Sequence, residues 1–301
     1  MSVEFRPYDH EVDFDRVGEF LLETYEPGNA FANWFQPRWE YMHYHPLIWE
    51  TPVDRIGMFE EGGRIVGVVH HEHVPNVVYF QTRPGYEHIR PDMLEYAMDV
   101  YSGSSWMVDG RKCFCLYVND FDTELRNLVR SKGFEIHPPS VDHQALFPVD
   151  RGVQVPVLPG GFRLQSLAVE NDLRKLGKCL WLGFNHQGPL PADDIKGRRF
   201  MQSAPHYRHE MNVVAVAPNG DYAAYAGIWV VPENKLAYVE PVATDPTYRR
   251  KGLGTAAVLE CIRRAVDEGA HKVWVGSIQP FYLAMGFERQ FQSDLWIKYL
   301  D

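Results

Sequence analysis

Along the 301-residue chain, apolar positions follow two rhythms, and the order in which the rhythms alternate occurs twice. In the second half, NVVAVA (212–217) and YAAYAGIWVV (222–231) are apolar runs of strand length on either side of Pro218-Asn219-Gly220, whose Asn-Gly pair suits a tight hairpin. LAYVEPVAT (236–244) reads as a further strand. From Thr255 to Glu268 the period lengthens: Val258, Leu259, Ile262 and Val266 share one helical face, with Glu260, Arg263, Arg264 and Asp267 largely opposite and Gly269 as the stop. KVWVGS (272–277) is the next strand, and QPFYLAMGF (279–287) a short helix closing on Gly286.

The first half repeats this order. Its opening strand VEFRPY (3–8) corresponds to GFRLQSL (161–167); a helical region, an apolar pair around Gly67 or Gly227, a strand, a turn and a helix follow in each. Phe5-Arg6 matches Phe162-Arg163, TRPGY (82–86) matches TDPTY (244–248), and Gly133-Phe134 matches Gly286-Phe287. These pairs lie roughly 160 residues apart, a period that means a duplicated domain and not a solenoid. Between the halves, Pro148, Gly152, Pro156, Pro159, Gly160 and Gly161 interrupt any pattern. The expectation is an α/β chain with a domain at 1–150, a linker at 151–160 and a second domain at 161–301.

Composition narrows the function. A net charge of -10 argues against general nucleic-acid binding, where a basic surface supplies most of the affinity. The start, MSVEFRPYDHEVDF, lacks a secretory pattern, and no apolar segment is of bilayer length, so a cytoplasmic protein with no membrane partner is expected. The four cysteines are irregularly spaced and spell neither a disulfide framework nor a zinc pattern. His71 and His73 share a strand face, but packed or solvated histidines are the favoured reading and no metal is expected. The aromatic-rich stretch 33–50 is read as packing before it is read as an acceptor pocket.

The densest chemistry lies in TDPTYRRKGLGTAA (244–257). Gly252 and Gly254 remove Cβ atoms where the helix begins, so a ligand can approach its exposed N–H groups. Those donors, the helix dipole and the charges of Arg249, Arg250 and Lys251 favour an anion such as a phosphate. A Walker A loop is excluded because no Gly-Lys-Ser/Thr ending occurs. Gly252, Gly254 and Ala257 do spell G-x-G-x-x-A, yet DPTYRRK separates them from the strand and KVWVGS carries no carboxylate, which tells against a dinucleotide-dependent oxidoreductase.

With VEPVATDPTYRRKGLGTAA and FYLAMGFE in this order, the second half resembles the GNAT superfamily of acyl-CoA-dependent N-acetyltransferases. The resemblance implies two tandem domains, each a mixed, mainly antiparallel twisted sheet flanked by helices. It implies acetyl-CoA as cosubstrate, its pyrophosphate on the backbone of Arg250, Lys251, Gly252, Leu253, Gly254 and Thr255, with Arg249 at the family's Arg/Gln position. The strand edge at Val242, Ala243 and Thr244 would pair with the pantetheine arm, and Pro241 would mark a bulge aiming the Val242 N–H at the thioester oxygen. Tyr282 stands where the family keeps an acid for the leaving thiolate, and Glu240 where it keeps a carboxylate that takes the proton of a small-molecule amine acceptor. The asparagine many members use to hold the pantetheine arm is missing; Ser277 and Gln279 are weak substitutes.

The first half keeps the frame without these groups. Val78 stands for Glu240, Glu87 for Arg249, Arg90 for Gly252, Asp92 for Gly254 and Val129 for Tyr282. Carboxylates at the phosphate position would repel a pyrophosphate, so this half is expected not to bind CoA. Two activities remain open: an N-acetyltransferase, or a non-catalytic acyl-CoA-binding or regulatory protein.

Overall fold

The computed structural model describes residues 2–26, 33–50, 52–74, 76–102, 107–108 and 110–300. In chain order its strands and α-helices are β1 (Glu4–Pro7), α1 (His10–Glu23), α2 (Gln36–Tyr44), β2 (Gly57–Glu61), β3 (Arg64–His71), β4 (Val77–Thr82), α3 (Arg90–Tyr101), β5 (Met107–Val108), β6 (Arg111–Asn119), α4 (Thr123–Ser131), β7 (Glu135–Phe147), β8 (Arg163–Ser166), α5 (Leu173–Gly183), α6 (Asp194–Met201), β9 (Val213–Val216), β10 (Tyr222–Val231), β11 (Leu236–Thr244), α7 (Leu253–Asp267), β12 (Lys272–Val275), α8 (Pro280–Ala284) and β13 (Glu288–Tyr299).

These elements fall into two compact units, the first made of Met1–His43, Leu47–His143 and Phe291–Asp301, the second of Tyr44–Pro46 and Gln144–Gln290. The division differs from the expected one at both joins. Residues 291–301 were expected with the second domain, but β13 pairs with β6 of the first unit from Ser293↔Asn119 to Tyr299↔Cys113. The end of β7, expected with the first domain, pairs with β12 through Ala145↔Val275 and Phe147↔Val273. An alternating strand completes whichever sheet offers an unpaired edge, and its own pattern does not say which. Nor is 151–160 a free linker, since Val153 and Val155 pack against the core of the second unit.

Within the first unit the strand order is β1-β2-β3-β4-β6-β13, with β5 beside β6. Among the described residues of this unit, only β4 and β6 run parallel, through Val77↔Cys115 and Val78↔Leu116. Trp34, Trp39 and Met42 of the aromatic stretch join its core. His70 and His71 are buried; His70 accepts the Gln81 amide at 2.8 Å, and His71 Nδ1 lies 3.2 Å from the Tyr101 hydroxyl. Among the described residues, no group of three or more His, Cys, Asp or Glu side chains is placed to hold a metal ion.

The second unit has the order β7-β12-β11-β10-β9-β8, with β11 and β12 its parallel pair. The hairpin expected at Pro218-Asn219-Gly220 joins β9 to β10, with Gly220 at φ 86°. Two helices cover opposite faces. Ala257, Val258, Cys261, Ile262 and Ala265 of α7 pack on Ala226, Ile228, Ala237, Val239, Val273 and Val275. Leu176, Cys179 and Leu180 of α5 pack on Val214, Val216, Tyr225 and Ala243. On β10 the two sets alternate, Tyr225 toward α5 and Ala226 toward α7, as the pleat requires. All four cysteines are buried free thiols.

Candidate functional site

Strand β11 carries the first part of the site. Its register on β10 runs Ile228↔Val239 and then Ala226↔Val242, so Gly227 alone faces both Glu240 and Pro241, and the strand bulges there. The Glu240-Pro241 peptide is cis. A side chain at 227 is excluded because its Cβ would lie 2.7 Å from the Glu240 carbonyl oxygen. That oxygen accepts the Trp229 indole N–H at 3.1 Å, which fixes the bulge from the neighbouring strand.

Beyond the bulge the edge is open. The pairing of β11 with β12 ends at Tyr238↔Trp274. On its other side, the Asp245 N–H donates to the Ala223 carbonyl at 3.0 Å, which makes residue 245 one that bonds toward β10. Alternation then turns the N–H groups of Val242 and Thr244 away from β10, toward the gap where β12 has diverged. The backbone donor expected at Val242 therefore faces the opening.

The turn into α7 supplies the second part. Arg250 has φ 62° and Gly252 φ 75°, both left-handed, and Gly252 caps the helix without a side-chain hydrogen bond. Helical bonding starts with Ala256 N–H to Gly252 C=O at 2.9 Å, so the N–H groups of residues 253–255 are the unpaired donors of the first turn. The helix begins at Leu253, two residues before the periodicity placed it. Arg250, Lys251 and Gly252 are exposed at this end, whereas Leu253 and Gly254 are buried. A Cβ at Gly252 would meet nothing within 4 Å, but one at Gly254 would lie 2.7 Å from Thr244 Oγ1 and 3.3 Å from the Phe281 ring. Only one of the two glycines thus leaves its backbone open for an approaching ligand; the other lets the helix sit on β11.

Tyr282 lies within electrostatic reach of Glu240, although the sequence gives no local sign of it. Tyr282 lies on α8 between Phe281 and Phe287, with ring centroids 5.0 and 5.6 Å away. Burial and, after it, the negative charge of Glu240 push its hydroxyl well above the usual tyrosine range. Among the described residues that hydroxyl makes no hydrogen bond, so it is a protonated donor without an acceptor. Of the substitutes for the missing asparagine, Ser277 accepts the Gln279 N–H at 3.2 Å.

The first unit offers the contrast. The N–H of Phe287 donates to the Tyr282 carbonyl at 3.2 Å, and that of Phe134 to the Val129 carbonyl at 3.1 Å, which puts the fully buried Val129 at the tyrosine's place. Where β4 and β6 diverge there is a cavity of about 200 Å³ whose lining includes Glu87, Arg90, Asp122 and Glu124. Asp122 caps α4 by accepting the Leu125 N–H at 3.0 Å and pairs with Arg90 at 3.1 Å. Asp122 thus ties the start of α4, the counterpart of α8, to Arg90 at the start of α3, the counterpart of α7, so charged side chains stand where the second unit has Gly252 and Gly254.

Residues 180–287, inside the second unit, match the acetyltransferase (GNAT) family. The glucosamine 6-phosphate N-acetyltransferase of Trypanosoma brucei brucei is 32% identical over 89 residues, which are 26% of this chain and 60% of that protein. The chain therefore spans less than two thirds of the length of that relative. A tandem GNAT protein from the clavulanic acid biosynthesis pathway superposes with a TM-score of 0.69 at 17% identity, over 99% of this chain and 98% of that one. A GCN5-related N-acetyltransferase from Sphaerobacter thermophilus gives 0.64 at 13% identity, over 99% and 95%. The chain has a GNAT-superfamily fold of mixed α/β architecture with flanking helices.

Proposed function

We propose that the second unit binds one acetyl-CoA and transfers its acetyl group to the primary amine of a small molecule by direct attack in a ternary complex. The observation that carries this reading is the bulged, open edge of β11 beside the exposed left-handed turn into α7, with Tyr282 held protonated by burial and then by the charge of Glu240.

In this reading the cosubstrate's pyrophosphate rests on the α7 turn, held by the N–H groups of residues 250–255 and the charges of Arg250 and Lys251. Its pantetheine arm lies along Val242 to Thr244 as an added strand. The Val242 N–H polarises the thioester carbonyl and stabilises the oxyanion that forms when the amine nitrogen bonds to the carbonyl carbon. Glu240 takes the proton lost by the amine. As the carbon–sulfur bond breaks, Tyr282 gives its proton to the departing thiolate, and CoA leaves as the thiol. The cosubstrate supplies the activated acyl group, and no step calls for a metal.

The first unit is a second GNAT-like domain that has lost acyl-CoA binding and serves as scaffold, in a protein that works in the cytoplasm. CoA thiol release followed over a panel of primary amines tests the proposal. Amine-dependent release supports it, and acetyl-CoA binding without turnover on any amine would favour the non-catalytic binder.

A further inference from the structure

Arg249 stands at a position read as part of the anion cradle, yet its guanidinium is committed elsewhere. Its Nε donates to the Thr244 carbonyl at 3.1 Å. Its Nη2 donates to the Gly183 carbonyl at 2.8 Å and to Asn185 Oδ1 at 3.0 Å. Gly183 is the last residue of α5. The chain leaves that helix through Asn185 at φ 61°, with Asn185 N–H to Leu182 C=O at 3.0 Å and His186 N–H to Trp181 C=O at 3.1 Å. This left-handed cap satisfies the carbonyls of Trp181 and Leu182, and Arg249 takes that of Gly183. The join is tight, because a Cβ at Gly183 would lie 2.7 Å from the Ala243 Cβ and 3.0 Å from the Thr244 nitrogen.

One cation thus fastens the end of β11 to the loop after α5. That loop carries Phe184, 52% exposed, and His186 stacked on Trp181 at 4.4 Å. It follows α5, on the face of the sheet opposite α7, and Arg249 ties it to the carbonyl of Thr244 at the end of the β11 edge that carries the Val242 N–H. A guanidinium whose Nε and Nη2 are both engaged by carbonyl and amide oxygens cannot turn that edge as a bidentate fork to a phosphate.

We propose that Arg249 is a positioning residue, a clasp that holds residues 184–190 in the arrangement that receives the amine acceptor, and is not a ligand of the CoA phosphates. The inference rests on the transferase reading given above, but the clasp itself has a readout that needs no substrate.

Arg249→Ala and Arg249→Lys are compared with the wild-type chain by amide hydrogen exchange, by calorimetric titration with acetyl-CoA, and by kinetics with the amine that turns over fastest in the panel. In Arg249→Ala, exchange across residues 184–190 rises about tenfold or more while the core of α7 keeps its protection. The amine KM rises by about tenfold with a smaller change in kcat, and the acetyl-CoA Kd stays within about threefold. Arg249→Lys, able to reach one carbonyl at a time, recovers part of the protection. Unchanged exchange in the loop overturns the clasp, and so does a loss of acetyl-CoA affinity of more than about thirtyfold, the mark of a phosphate ligand. Failure of the wild-type chain to bind acetyl-CoA sinks the transferase reading instead, and the exchange comparison then decides the clasp alone.

Discussion

A methyl group at Gly254 would lie 2.7 Å from Thr244 Oγ1, so the first turn of α7 and the end of β11 touch through a missing side chain. Gly254→Ala is therefore expected to destabilise the second unit by about 1–3 kcal/mol through overpacking. Adding Thr244→Ala should recover part of the loss. Urea unfolding of the two variants measures both effects. A Gly254→Ala protein as stable as wild type would show that the contact yields easily. Gly252 differs: its surroundings are empty and its φ is 75°, so Gly252→Asn, which tolerates the left-handed region, should unfold later than Gly252→Val.

Tyr282→Phe removes a proton donor used only as the thiolate leaves. Turnover should fall by about 10²- to 10⁴-fold with acetyl-CoA affinity nearly unchanged. Equal turnover, with chemistry shown to be rate-limiting, would take Tyr282 out of the mechanism.

Because burial and then the charge of Glu240 raise the Tyr282 hydroxyl, the native tyrosine keeps its proton above pH 10, where the unfolded one ionises. Glu240→Gln removes one of the two causes. The alkaline limb of turnover should move to lower pH in that variant, while the rate below neutrality falls most, since little free amine exists there without a base. An alkaline limb that stays in place would mean that the carboxylate does not act on the tyrosine.

Strand and helix order could be read from periodicity because each element writes its own pattern, and the left-handed turn into α7 could be read from its glycines. Three features could not be read. β13 gives no sign of the sheet it joins, since an alternating strand fits either edge. The packing role of Gly254 depends on Thr244 and Phe281, which are neighbours only in the fold. Arg249 finds its acceptors on the carbonyls of Thr244 and Gly183 and on Asn185 Oδ1, which the fold brings to it from more than 60 residues away in the case of α5 and its loop. Glu240 and Tyr282 were linked by family resemblance, not by any local pattern.

The histidines of the first unit give a test outside the site. Burial holds His70 down to about 4, against its backbone bond to His71, and His43 down to about 3. Their unfolded forms take up protons from about pH 6.5 downward, so native stability should decline as the pH falls from there toward 4. His70→Gln should flatten that decline. An equally steep loss in the variant would assign the acid sensitivity to other groups.

Calorimetric titration of the full chain with acetyl-CoA tests the central claim most directly. One site per chain is expected, weakened more than about tenfold by the pair Arg250→Glu and Lys251→Glu, with circular dichroism confirming the fold. Asp122→Asn, which removes the carboxylate paired with Arg90 at the start of α3, should leave the stoichiometry at one. Two equivalent sites per chain, or wild-type affinity in the charge-reversed protein, would contradict the assignment of the α7 turn as the cradle.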